Sequence, residues 1–145
     1  MLKIIKFLFN TLPPMEKIHS EIEPEDNRKL EIRKTFEFEA AHFLPKHPGL
    51  CHGHHGHSYK LAVSIMGERD KNTGMLIDFG DLKKIVNKVI IDKLDHKDLT
   101  KVFDYDTTAE NMVYWIWDKL VEAGLNISKI ELWETSGSCA ILTKV

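Results

Sequence analysis

The sequence predicts an α+β domain in the order β-β-α-α-β-β, with an antiparallel sheet and both helices on one of its faces. Three observations carry this. Period-two alternation runs through residues 30–42 and again through 57–65. Two segments with helical spacing then follow one another directly, and two further strand-like segments close the chain. Helices grouped in this way favour an antiparallel sheet over a parallel one.

Each element has its own signal. Leu30, Ile32, Phe36, Phe38, Ala40 and His42 share the even face of the first strand, with Arg33, Thr35, Glu37 and Glu39 between them. A loop with Pro45, Pro48 and Gly49 follows. The second strand carries His57, Tyr59, Leu61, Val63 and Ile65 on its odd face. Asp78 is placed to cap a helix whose apolar face is Leu82, Ile85, Val86, Val89 and Ile90, and the segment ends at Leu94-Asp95-His96. Thr107-Thr108-Ala109-Glu110 signals the start of the next helix. Its stripe runs Ala109, Met112, Val113, Ile116, Trp117, Leu120, Val121, and Gly124 stops it. Ile130, Leu132 and Glu134 share one face of a long strand. Ser136-Gly137-Ser138 turns into a last strand, where Cys139, alternating with Ile141, is expected in the core.

At 145 residues, 43% hydrophobic and 29% charged, the chain has the size and balance of one soluble globular domain. A net charge of −2 provides no attraction for nucleic acid. Two cysteines, Cys51 and Cys139, are too few for a disulfide scaffold and fit a reducing, cytoplasmic setting. The apolar start, Met1 to Phe9, is interrupted by Lys3 and Lys6 and too short to span a membrane, so a short amphipathic helix or strand is expected there. Thr11 to Lys29, with Pro13, Pro14 and Pro24, reads as a linker. Residues 1–30 are therefore an extension and 31–145 the domain.

The densest chemistry lies at Cys51-His52-Gly53-His54-His55-Gly56-His57, where four of the eight histidines and one of the two cysteines fall in seven positions. Alternate strand residues face one way, so His55 and His57 can aim at a single point, with His42 at the end of the preceding strand as the third ligand. Three ligands leave one position of a tetrahedral zinc open, as in catalytic zinc sites. His52 and His54 offer the same spacing, a competing register; with His47 they are expected as solvated loop residues. Cys51 is either a fourth ligand or a thiol activated by nearby positive charge. Glu134 on an apolar face needs donors, from a basic side chain or from a ligand with adjacent N–H groups. Asp95-His96 is the kind of pair found at exposed helix ends.

Six ordered motifs carry a resemblance: Phe36-Glu-Phe-Glu-Ala-Ala-His42, Cys51-x3-His55-Gly-His57-Ser-Tyr, Gly74-Met-Leu-Ile-Asp78-Phe, Leu94-Asp95-His96, Thr108-Ala-Glu110-Asn111 and Glu134-Thr135. Together they resemble the 6-pyruvoyltetrahydropterin synthase family, and most closely its 6-carboxytetrahydropterin synthase branch. The resemblance implies a tunnelling fold (T-fold) assembled as a homo-hexamer of two trimers, with active sites between subunits. It implies that His42, His55 and His57 hold Zn2+ and that Cys51 is the general base, with Asp95 and His96 as its proton-relay partners. Glu134 would anchor the pterin ring and Thr108 help position it. The implied reaction converts 7,8-dihydroneopterin triphosphate to 6-carboxy-5,6,7,8-tetrahydropterin with release of acetaldehyde and triphosphate, feeding queuosine synthesis. The pyruvoyl branch eliminates triphosphate only, and an archaeal pterin or folate branch is a further member. A reading of a different class is a non-catalytic zinc- or pterin-binding assembly protein.

Overall fold

The computed structural model describes residues 28–145. The amphipathic element expected over residues 1–9, and all but the last two residues of the linker over 11–29, lie outside the described residues.

Strands β1 (Leu30–His42) and β2 (His55–Gly67) pair antiparallel along their whole length, from Leu30 opposite Gly67 to His42 opposite His55. Their inward residues are aromatic or branched, the side chains that pack well on a pleated surface. Helix α1 (Phe79–Val86) runs into a π-helical turn (Asn87–Ile91) and the short α2 (Asp92–Leu94). Next come β3 (Lys97–Asp98), α3 (Leu99–Val102) and α4 (Ala109–Glu122). The chain closes with β4 (Ile127–Thr135) and β5 (Ser138–Thr143). The expected element order is present, with one correction. Lys97–Asp98 adds a strand parallel to β1, so the sheet is mixed and five-stranded, in the order β3-β1-β2-β4-β5. A two-residue strand is too short to show any periodicity in sequence.

One face of the sheet makes the core. Phe36 and Phe38 of β1, Tyr59, Leu61, Val63 and Ile65 of β2, and Ile130 and Leu132 of β4 are buried against Leu82, Val86, Ile90, Met112, Val113, Ile116 and Leu120 of the helices. Leu82, Val86, Ile90 and Leu94 recur every four residues and are all fully buried. That spacing drifts by about 120° over twelve residues of an ideal α-helix. The wider π-turn removes part of the drift and keeps Leu94 facing the sheet.

The opposite face is polar. Arg33 pairs with Glu131 at 2.8 Å, and Arg33 and Lys60 lie 5.7 and 5.4 Å from the centre of the Trp133 ring. Cys139 and Ile141 belong to this face and are exposed, which corrects the expected core position of Cys139. Ala140 and Leu142 are the residues of β5 that pack inward. The cause is a bulge between Trp133 and Thr135, which changes the phase between the two strands. Val121, expected in the α4 stripe, is also exposed, at the margin of the face that Leu120 buries.

Asp78 caps α1 as expected, its Oδ1 accepting the N–H groups of Gly80 at 2.7 Å and Asp81 at 3.1 Å. Replacing Asp78 by Ala leaves both donors unpaired and should lower stability by about 1 kcal/mol. The measurement is a lower urea midpoint with an unchanged m-value; an unmoved midpoint contradicts the capping role.

Candidate metal centre and active site

Alternation places His42 at the inner end of β1 and His55 and His57 at the inner start of β2. Pairing sets His42 directly opposite His55, with His57 opposite Ala40. The three rings form a cluster whose ligand atoms all lie within 4.8 Å of one another, the one group of this kind among the described residues. Ring centroids are 4.6 to 5.2 Å apart, with interplanar angles of 63° to 88°. The competing register is not used. His52 donates from Nδ1 to the Pro45 carbonyl at 2.9 Å, and His54 meets the Asp98 carboxylate at 3.2 Å. His47 accepts the Gly49 N–H at 2.9 Å. All three rings are exposed, as expected for loop residues, and each has a polar partner within the described residues.

The cluster fits a cation on chemical grounds. The Nδ1–H of His55 donates to the Gly53 carbonyl at 2.8 Å, which leaves its Nε2 as an acceptor. Nδ1 of His42 faces the Thr107 carbonyl at 3.0 Å and the Thr107 hydroxyl at 3.1 Å. Ring nitrogens tied to carbonyls in this way are the usual support of metal-binding histidines. The two Nε2 atoms lie 3.1 Å apart. Two nitrogens on one tetrahedral zinc are about 3.3 Å apart, from a bond of about 2.0 Å. Burial, and after it the neighbouring His55 ring, pushes the pKa of His42 down from 6.5 to about 4. His42 is therefore uncharged at neutral pH, as a ligand must be.

The remaining expected residues are placed by other parts of the fold. Cys51 sits half-buried in a 3-10 turn (Leu50–His52), a free thiol whose backbone carbonyl accepts the Leu44 N–H at 2.8 Å. Its sulfur has no hydrogen-bond partner among the described residues. Asp95 and His96 are gripped by the backbone of Glu39. Its N–H donates to Asp95 Oδ1 at 2.9 Å and its carbonyl accepts the His96 N–H at 2.6 Å. The same Asp95 oxygen lies 3.0 Å from His96 Nδ1. The Glu39 N–H, and next the His96 ring, hold the Asp95 carboxyl below its ordinary range. His96 has φ +56°, a left-handed conformation uncommon outside glycine, and its side chain is 79% exposed. With Glu39, His57, Ser58 and Lys97 it lines a cavity of about 490 Å³. No hydrogen bond or ion pair among the described residues joins Cys51 to this pair.

Glu134 is the residue left unpaired in the β4–β5 bulge. Bulges commonly re-aim a side chain near a site. Glu134 is half-buried and close enough to Tyr59 that, after burial, its charge is the second cause raising the Tyr59 pKa. Thr108 is the N-cap of α4, its hydroxyl accepting the Asn111 N–H at 3.3 Å. Sequence reasoning missed two residues. Tyr59 is buried beside His42 and His57 with its hydroxyl unpartnered, and alternation had shown only its burial. Thr107 reads in sequence as part of a helix start, and nothing there links it to His42.

Comparison with known proteins agrees with this architecture. Residues 31–144 match the protein family described as 6-pyruvoyl tetrahydropterin synthase. A 6-carboxy-5,6,7,8-tetrahydropterin synthase of Haemophilus influenzae is 39% identical over 132 residues, covering 74% of this chain and 94% of its own. The human 6-pyruvoyl tetrahydrobiopterin synthase is 36% identical over 94 residues, covering 60% of this chain and 64% of its own. The structure of Caenorhabditis elegans 6-pyruvoyl tetrahydropterin synthase superposes with a TM-score of 0.73 at 25% identity, over 81% of this chain and 97% of that one. The fold and the site define a T-fold enzyme of pterin chemistry. The chain belongs to the 6-pyruvoyl tetrahydropterin synthase family and is a lyase of that type.

The buried His42 makes metal-free stability depend on pH. The folded state keeps this ring neutral down to about pH 4, whereas the unfolded chain takes up a proton near 6.5. The unfolded state therefore binds more protons between those values, and stability falls as pH is lowered through that window. From pH 7 to pH 5 this group alone should remove about 2 kcal/mol, read by urea unfolding of chelator-treated protein. His42→Gln should flatten that slope; an equal slope in both proteins rules the assignment out.

Proposed function

We propose that this chain is a zinc-dependent lyase. It takes 7,8-dihydroneopterin triphosphate and water to 6-carboxy-5,6,7,8-tetrahydropterin, acetaldehyde and triphosphate, in the route to queuosine. The observation that carries the reading is the His42, His55 and His57 cluster. Its nitrogens lie within 4.8 Å of one another, in a chain whose relative of that name covers 74% of it. Three imidazole nitrogens suit a zinc ion with an open position. Zinc held there supplies a Lewis acid that acidifies a bound hydroxyl and stabilises negative charge on oxygen.

The chain's own groups do the rest. The Glu134 carboxylate accepts hydrogen bonds from the 2-amino and ring N–H groups of the pterin, which sets the side chain toward the histidines. Thr108, at the start of α4, borders the ring. Cys51, as thiolate, takes a proton from the substrate side chain. Asp95 holds the Nδ1–H of His96, so that Nε2 is free to pass a proton to or from the reacting centre, the role an oriented imidazole plays in other relays. Cys51 and the Asp95–His96 pair come from separate parts of one chain, and the reading brings them together between subunits. Open edges support it: residues 30–39 of β1 have no strand on their outer side among the described residues, and β5 is the other end of the sheet. Edges of this kind are completed when sheets join into a barrel, as in a hexamer of two trimers. A cytoplasmic setting, where both thiols stay reduced, goes with this chemistry.

The second reading, elimination of triphosphate alone to the 6-pyruvoyl product, is favoured by the likeness to the Caenorhabditis elegans structure. Product analysis separates the two. Incubation with dihydroneopterin triphosphate followed by mass spectrometry should give 6-carboxytetrahydropterin with acetaldehyde. Triphosphate without acetaldehyde selects the pyruvoyl reaction, and no turnover by zinc-loaded protein removes both. Cys51→Ala should abolish turnover while bound zinc stays at the wild-type level; loss of the metal would make Cys51 a ligand instead of a base.

A further inference from the structure

Thr107 has no part in the chemistry proposed for the site, yet it is buried with two oxygens turned to one nitrogen. Its carbonyl lies 3.0 Å and its hydroxyl 3.1 Å from Nδ1 of His42. A carbonyl can only accept, whereas a hydroxyl can donate. Nδ1 therefore finds a partner whether or not it carries the proton. The hydroxyl has no other hydrogen-bond partner among the described residues.

The rest of the network decides which arrangement belongs to which state. His55 donates from Nδ1 to the Gly53 carbonyl at 2.8 Å, so Nε2 of the neutral ring is a bare acceptor. It faces Nε2 of His42 at 3.1 Å. With no cation between them, a hydrogen bond at that distance requires the proton on His42 Nε2. Nδ1 of His42 is then bare, and only the Thr107 hydroxyl can donate to it. To ligate a cation, His42 must present the lone pair of Nε2. Its single proton then sits on Nδ1, donated to the Thr107 carbonyl. The number of protons is the same in both states; only the nitrogen that carries one differs.

We infer that Thr107 is a positioning residue whose hydroxyl and carbonyl serve the two tautomers of His42 in turn, the hydroxyl in the metal-free site and the carbonyl in the loaded one. The inference rests on the proposed metal site. It has a consequence for affinity. In the metal-free state the hydroxyl is the sole donor to Nδ1, whereas in the loaded state the carbonyl already accepts the Nδ1–H and the hydroxyl is redundant. The hydroxyl therefore favours the metal-free state and opposes metal binding. A simple supporting residue works the other way, and its removal typically weakens metal affinity by about 10- to 100-fold.

The test uses the full chain at pH 8. In 15N-labelled, chelator-stripped protein, long-range 1H–15N spectra should find the His42 proton on Nε2, and after addition of Zn2+ on Nδ1. Thr107→Val, which keeps shape and carbonyl, should lower the metal-free Tm by about 5 °C. It should also tighten Zn2+ by about tenfold in competition with a chromophoric chelator. Thr107→Ser, which keeps the donor, should match wild type in both. A proton on Nδ1 in the metal-free wild type, or weaker Zn2+ binding by Thr107→Val, overturns the inference while leaving the metal site standing. Failure of the wild-type protein to bind Zn2+ at all overturns both.

Discussion

The structure depends on one pairing: β1 against β2 in the register that sets His42 opposite His55. Period two then puts His57 on the same face, and every inward residue of the hairpin shares that face with the three rings. A slip of one residue would carry the whole set to the polar side of the sheet. What prevents the slip is the apolar run Phe36, Phe38, Tyr59, Leu61, Val63 and Ile65, buried under α1 and α4. Core and site therefore specify one another. The hydrophobic face pins the register, and the register assembles the histidine cluster at its end.

Around that pairing the site is built from polar groups whose partners are already chosen. The Gly53 carbonyl holds the ring of His55, and the two oxygens of Thr107 flank Nδ1 of His42. The backbone of Glu39, on the opposite face of β1, grips Asp95 and His96 from both its donor and its acceptor. Such pre-arranged groups need little reorganisation when a ligand arrives. The exceptions are informative. The Tyr59 hydroxyl is buried without a partner, and Glu134 stands half-buried in a bulge. An unpaired buried hydroxyl costs about 1–3 kcal/mol. Tyr59 lies beside His42 and His57, and Glu134 is close enough to act on Tyr59; local stability is commonly exchanged for function at such places.

Much of this was legible in the residue order. Long alternating segments show their faces without any tertiary knowledge, so β1, β2 and the convergence of His42, His55 and His57 could be read directly, and Asp78 showed itself as a cap. The failures share a physical origin. Lys97–Asp98 is too short for a period, and its pairing with Ala40 and Ala41 depends on where the preceding helix ends. Cys139 was misplaced because a bulge changes phase between strands, and a bulge leaves no mark in an alternating pattern. His54 is exposed as expected, but its partner Asp98 could not be foreseen, being 44 positions away in the chain and adjacent only after folding.

The sequence by itself determined which side chains of β1 and β2 face the core, which three histidines converge, and where the helices start, because these follow from local periodicity and capping within a few residues. Tertiary structure alone decided what surrounds them. It placed Thr107 against His42 across 65 positions and Glu39 against Asp95 across 56, and it set Glu134 beside Tyr59. Those contacts arise from the packing of whole elements, and that packing minimises buried polar mismatch over the entire domain. No local pattern carries that information, because the residues that meet are chosen by helix length, strand register and bulge position acting together.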